Sequence, residues 1–211
     1  MNNLILFLLF VFLVVPSYGQ KKPNKNLLTK QAPDSFLVRF ETTKGNFIAI
    51  SKRSWSPKAV DRFYQLVRSH YYDVNAIFRV QTGYVAQFGI SNDSLQNNFW
   101  DSHKVADEPV IEKNKLGAIS FARGGPETRT TQLFINLHDN AKLDTIVAAG
   151  ITGYPVIAKI KEGLDVLPLW YGGYGFEPAQ KQDSISHFGN AYLKKRYPLV
   201  DYILKAELVK K

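Results

Sequence analysis

The residues best suited to chemistry lie between Gly117 and Leu137. There an apolar strand (Ala118 to Ala122) precedes a turn at Gly124-Gly125-Pro126, a run of hydroxyl residues and a second strand. Alternation in that second strand puts Gln132, Phe134 and Asn136 on one face, with Leu133 and Ile135 on the other. An amide beside an aromatic ring has little use in a dry core. It suits a shallow peptide-binding pocket, where the amide holds backbone and the ring walls a side chain. Upstream, Ile77 to Gln81 and Tyr84 to Phe88 read as strands around Thr82-Gly83, with Val85 and Gln87 sharing a face. Arg79 interrupts the first of these strands. A mid-strand arginine is more often solvated than functional, so Arg79 becomes a candidate only in company.

The composition removes several classes of chemistry. There is no Cys, hence no disulfide framework, thiolate nucleophile or cysteine-based metal site. The four histidines (His70, His103, His138 and His187) are scattered without triad partners, and no Gly-x-Ser-x-Gly elbow or phosphate-binding loop occurs. Gly172-Gly173-Tyr174-Gly175 lacks the Lys-Ser/Thr of such a loop and reads as a turn. No metal and no organic cofactor are expected. The net charge of +9 collects in peripheral segments such as Lys21-Lys22, Lys194-Lys195-Arg196 and Lys210-Lys211, which reads as solvation, so no nucleic-acid partner is expected.

The elements that would position these residues follow in order. Leu4 to Val15 is an unbroken apolar run, short of the ~20 residues of a membrane span. It matches the apolar region of an export signal, with Ser17 and Gly19 as small residues at the cleavage site, although Met1-Asn2-Asn3 lacks the usual basic residue. Residues 1–19 are therefore expected to be a signal peptide, 20–34 a flexible lead-in, and 35–211 one domain. The product would be exported, periplasmic or secreted, and would touch a membrane only through an uncleaved signal. Phe36 to Glu41 and Asn46 to Ile50 around Gly45 read as a hairpin. Ser56-Pro57 reads as an N-cap and first helical residue, followed by a stripe of Ala59, Val60, Phe63, Leu66 and Val67, with Arg62 and Gln65 outside it. Ser91 to Glu112 reads as a polar surface loop, and Glu162 to Leu167 as a short helix stopped by Pro168. Tyr202 to Val209 reads as a closing strand.

Taken together, Tyr71-Tyr72-Asp73, Phe78-Arg79-Val80 and Gly83-Tyr84-Val85-Ala86-Gln87 resemble the first signature of cyclophilin-type peptidyl-prolyl isomerases. Phe121 through Asn136, followed by Leu143-Asp144, resembles the second, and Gly153-Tyr154 through Glu162-Gly163 a third. The ordered blocks span roughly Phe36 to Leu208. The resemblance implies a mainly β fold, a closed eight-stranded antiparallel β-barrel with two capping α-helices. It implies that Arg79 is the catalytic arginine and that Gln87 and Gln132 hold the substrate backbone. Tyr84, Val85, Phe134 and Leu143 would line a proline pocket, with Ala122 and Arg123 bordering the bound strand. Lys142 stands where the family often has Trp, which argues against tight cyclosporin binding, and Tyr154 stands in the place of a His. The implied partners are proline-containing, unfolded or folding polypeptides met by a monomer. The alternative on the same pocket is a proline-peptide-binding or chaperone module with little turnover. A lipocalin-like carrier is disfavoured, since small barrels fill their interiors with side chains.

Overall fold

The computed structural model describes residues 22–209. The expected signal peptide lies outside the described residues. The chain runs β1 (Ser35–Thr42), β2 (Gly45–Lys52), α1 (Pro57–Arg68), β3 (Asn75–Ala76), β4 (Arg79–Val80), β5 (Val85–Phe88) and α2 (Ser94–Asp101). There follow β6 (Ala118–Phe121), β7 (Leu133–Asn136), α3 (Lys142–Thr145), β8 (Val147–Ala148), β9 (Ile151–Thr152), β10 (Val156–Glu162), α4 (Gln182–Arg196) and β11 (Tyr202–Leu208).

Nine strands form one antiparallel sheet in the order β3-β11-β1-β2-β10-β6-β7-β5-β4, while β8 and β9 pair separately. This corrects the expected closed eight-stranded barrel. Among the described residues no ladder joins the edge strands β3 and β4, and the sheet curls as a half-barrel. Only Ile77 and Phe78 separate β3 from β4, so the two edges are joined by the chain itself and not by a ladder.

Period-two alternation sets the inner face. Phe36, Val38 and Phe40 of β1 are buried, as are Phe47, Ala49 and Ser51 of β2. Phe40 stacks on Phe47 at 4.7 Å between centroids and meets Phe88 edge-on at 6.1 Å. Each such fully buried side chain contributes roughly 1.5–3 kcal/mol. The stripe of α1 closes the core, with Ala59, Val60, Phe63 and Leu66 fully buried.

The helices depart from expectation in instructive ways. Ser56 does not cap α1. Its hydroxyl donates to Glu108 (2.5 Å), and the Glu108 carboxylate accepts from the Lys58 and Ala59 N–H groups at 2.8 and 3.0 Å. A full negative charge at the helix N-terminus satisfies the orphan donors better than a hydroxyl. Arg62 and Gln65, expected outside the stripe, are buried. Arg62 lies 5.0 Å from the Trp100 ring and donates to the His103 carbonyl at 2.5 Å, and burial pushes its pKa down to about 10.

The region expected to be a surface loop contains α2, whose Trp100 and Asn97 are buried. Asp93 caps it by accepting from the Leu95 N–H at 2.9 Å. Residues 24–34, expected as a flexible lead-in, dock on α1: Ala32 N–H donates to Asp61 (2.9 Å), and Gln65 donates to the Leu28 and Lys30 carbonyls. The turn at Leu164–Leu169 is 3₁₀, with Pro168 inside it rather than ending it. Its N-terminus needs Gly163, at φ +86°, where a Cβ would sit 2.4 Å from the Asn46 carbonyl oxygen. Finally, α4 bends at Gly189 (φ 59°, ψ −148°), a conformation open essentially to glycine alone.

Candidate functional site

The register of the sheet aligns the site. Arg79 on β4 pairs with Gln87 on β5, Gln87 with Phe134 on β7, and Phe134 with Ser120 on β6. Directly paired residues share a face. Ala86, Phe88, Leu133 and Ile135 point into the main core, while Val85, Gln87 and Phe134 point to the other side. A cavity of about 200 Å³ opens there. Arg79, Tyr84, Val85, Gln87, Ala122, Arg123, Phe134, Leu143 and Tyr154 all line it. The structure thus gathers nine of the ten residues singled out from sequence around one space. The tenth, Gln132, stands just behind it, its side chain bonded to Gln87.

The floor is apolar. Val85, Phe134 and Leu143 form a buried cluster, with Ala122 and Tyr154 packed against it. The Tyr154 ring stands edge-on to Phe134 at 5.5 Å. Beneath this floor lies a polar frame that sequence reasoning missed. Asn114 donates from its backbone and side chain to Asp144 at 2.9 and 3.0 Å, and its side chain also donates to the Tyr154 carbonyl at 2.9 Å. Asn136 donates to the Asn114 side-chain oxygen (3.1 Å) and the Ala118 carbonyl (3.0 Å), and accepts from Asn140 (2.8 Å). These buried bonds hold α3, and so Leu143, at a fixed height under the cavity.

The polar wall is a chain of amides. Arg79 Nη1 donates to Gln87 Oε1 at 3.0 Å, Gln87 Nε2 to Gln132 Oε1 at 2.9 Å, and Gln132 Nε2 to Gln182 Oε1 at 2.8 Å. The order is dictated by chemistry. Arginine only donates, so Gln87 must turn its oxygen to Arg79 and its NH₂ onward, and each later amide inherits the same sense. Behind Arg79, Gln81 Oε1 accepts from Nε at 2.7 Å and from Nη2 as well. The guanidinium is therefore gripped by Gln81 along its Nε–Nη2 edge and tied by Nη1 to Gln87, and it lines the cavity. It lies 5.6 Å from the Tyr84 ring and 4.8 Å from Phe176. Burial lowers its pKa from the ordinary arginine value, with Tyr84 and Tyr154 acting the other way.

Arg123 is held differently. It donates to the Gly153 carbonyl (2.6 Å) and the Ile151 carbonyl (3.3 Å), and lies over the Tyr154 ring at 4.4 Å. It ties the cavity rim to the β8–β9 hairpin. Three residues entered the site without warning from sequence: Gln81, Phe176 and Gln182. Gln81 carried a signal in retrospect, since it lies two residues from Arg79 on the same extended segment. Phe176 and Gln182 carried none, because their segment shows no periodicity that ties it to the site.

The family model for Cyclophilin type peptidyl-prolyl cis-trans isomerase/CLD matches residues 37–188. Peptidyl-prolyl cis-trans isomerase cyp18 of Streptomyces antibioticus is 30% identical over 134 residues, 62% of this chain and 80% of that protein. Peptidyl-prolyl cis-trans isomerase A of Dickeya dadantii is 32% identical over 143 residues, 64% of this chain and 70% of that protein. A solved cyclophilin type peptidyl-prolyl cis-trans isomerase of Cryptosporidium parvum shares the fold at TM-score 0.60 and 19% identity, covering 84% of this chain and 99% of that one. The same parasite protein has been solved in the presence of the dipeptide Ala-Pro. The chain belongs to the cyclophilin-type peptidyl-prolyl cis-trans isomerase family.

Proposed function

We propose that this protein accelerates rotation about X-Pro peptide bonds, with Arg79 stabilising the twisted amide. The supporting observation is the placement of one gripped guanidinium beside a cavity with an apolar floor and a wall of linked amides. The planar amide resists rotation by ~18–20 kcal/mol, and X-Pro isomers exchange over roughly tens to hundreds of seconds. Reaching milliseconds requires about 5.5–7 kcal/mol of barrier lowering. No bond forms or breaks, so neither a nucleophile nor a general acid is needed. In the twisted state the prolyl nitrogen regains a lone pair that can accept a hydrogen bond. A donor placed for that state and not for the planar one lowers the barrier.

In this reading Val85, Phe134 and Leu143 anchor the pyrrolidine ring, whose three methylenes contribute about 2–2.5 kcal/mol on burial. Gln87 and Gln132 restrain the flanking backbone, with Ala122, Arg123 and Tyr154 at the rim, so that rotation falls on one bond. Clients would be proline-containing segments of unfolded or folding chains, met by a monomer. The test is line-exchange NMR on a blocked proline peptide with catalytic amounts of the protein lacking residues 1–19. Cis–trans exchange that stays within tenfold of the uncatalysed rate would reject the proposal.

We further infer from the apolar run Leu4 to Val15 that the protein is exported and cleaved after Gly19. Among the described residues no helix is long and apolar enough to cross a membrane. Mass spectrometry of the mature N-terminus decides the matter: a chain still beginning at Met1 would overturn the inference.

A further inference from the structure

Residues 171–200 leave the sheet after the turn at Leu164–Leu169 and return at β11, and they carry Phe176 to the cavity. The excursion is firmly tied. The Tyr171 N–H donates to Asp201 (2.7 Å), and Tyr174 packs edge-on against Tyr197 at 5.3 Å. Asn190 donates through its backbone to Asn92 and through its side chain to the Val74 carbonyl, at 2.7 and 2.8 Å. One tie sets the site directly: Gly175 forms an antiparallel bridge with Val80. In antiparallel register the residue after Gly175 faces the residue before Val80, so Phe176 is the cross-strand neighbour of Arg79. Gly172 lets the turn come this close, since a Cβ there would lie 2.7 Å from the Thr82 hydroxyl oxygen.

Phe176 is nevertheless 45% exposed, and Tyr84, on the same guanidinium, is 38% exposed. Two large rings thus flank Arg79 at the cavity mouth with much of their apolar surface wet. A donor bonded to the prolyl nitrogen lies beside that proline's own carbonyl. The next residue is attached to that carbonyl, so it leaves the cavity on the Arg79 side, past these rings.

We propose that Phe176 is a specificity-determining residue: with Tyr84 it receives the side chain of the residue following proline and favours a large apolar one. The proposal rests on the peptidyl-prolyl reading of the site. A leucine there covers both rings, a glycine covers neither, and a lysine brings a second cation to the guanidinium.

The test compares blocked Ala-Ala-Pro-Leu and Ala-Ala-Pro-Gly peptides on the parent, Phe176→Ala and Phe176→Leu. Two quantities are read: kcat/KM from NMR exchange, and peptide Kd from chemical-shift titration. The parent is expected to favour the leucine peptide by about five- to tenfold in both. Phe176→Ala should bring that ratio below about twofold, and Phe176→Leu should restore most of it. A parent with no preference, or an alanine variant that loses equally on both peptides, overturns the proposal. Binding is read independently of turnover. A protein that discriminates the peptides without accelerating exchange would therefore sink the isomerase reading while supporting this one.

Discussion

Replacing Arg79 by alanine separates turnover from folding, because among the described residues its side chain hydrogen-bonds to Gln81 and Gln87 and otherwise meets the half-exposed Tyr84 and Phe176 rings. Removing it leaves Gln81 Oε1 and Gln87 Oε1 at a half-open cavity where water can replace the guanidinium, so the stability change should stay within about 1 kcal/mol. The effect on rate should be far larger. A donor aimed at the transition state, once a bound peptide covers the cavity, contributes about 2.7–4 kcal/mol, so kcat/KM should fall by about 10²–10³. Arg79→Lys should recover little of this. An ammonium keeps the charge but cannot bond Gln81 along one edge while presenting further donors to the cavity. The assay is NMR exchange on a proline peptide, with a thermal melt beside it. If Arg79→Ala retains half of parental kcat/KM with an unchanged melt, the assigned role of the guanidinium is wrong.

Three further outcomes follow from the same geometry. Turnover should be flat from about pH 6 to pH 9, since no step needs a titrating group and arginine stays charged. Burial lowers the Arg79 pKa, so charge is lost on the alkaline side and the decline comes there alone, and a bell centred near neutrality would contradict the mechanism. Glu108→Ala removes three hydrogen bonds at the start of α1 and leaves buried Arg129, 3.6 Å away, with Asp107 as its one carboxylate partner among the described residues. The expected cost is about 2–4 kcal/mol, a fall in Tm of roughly 5–12 °C, checked by calorimetry. Gln182→Ala frees the Gln132 amide and should raise KM several-fold more than it lowers kcat, whereas Gln182→Glu, which keeps an acceptor for Gln132, should lie closer to the parent.

Much of this arrangement was legible because it is local. Alternation placed Gln132 and Phe134 away from Leu133 and Ile135, and the structure keeps that division. The hairpin around Gly45, the stripe on α1 and the closing strand were likewise readable from period and turn chemistry. What escaped reading depends on contacts remote in sequence. Glu108 lies 52 residues from the serine it displaces as a cap, and no local pattern announces it. Trp100 looked like a loop residue until α2 and Arg62 enclosed it. Arg62 looked solvent-facing by helical phase, but a second layer of chain covers that side of α1. Phe176 reaches the site through the Gly175–Val80 bridge, and Gln182 meets it through its bond to Gln132, both contacts remote in sequence.

The amide chain from Arg79 to Gln182 has a sense of direction. Its first member cannot accept, so every amide after it has one orientation that satisfies its neighbours and one that opposes NH₂ to NH₂. Turning any one glutamine over would oppose it to its neighbours, so the three amides keep one orientation as a unit. The sense of the whole wall is thus set from one end, by a charge three side chains away from the other.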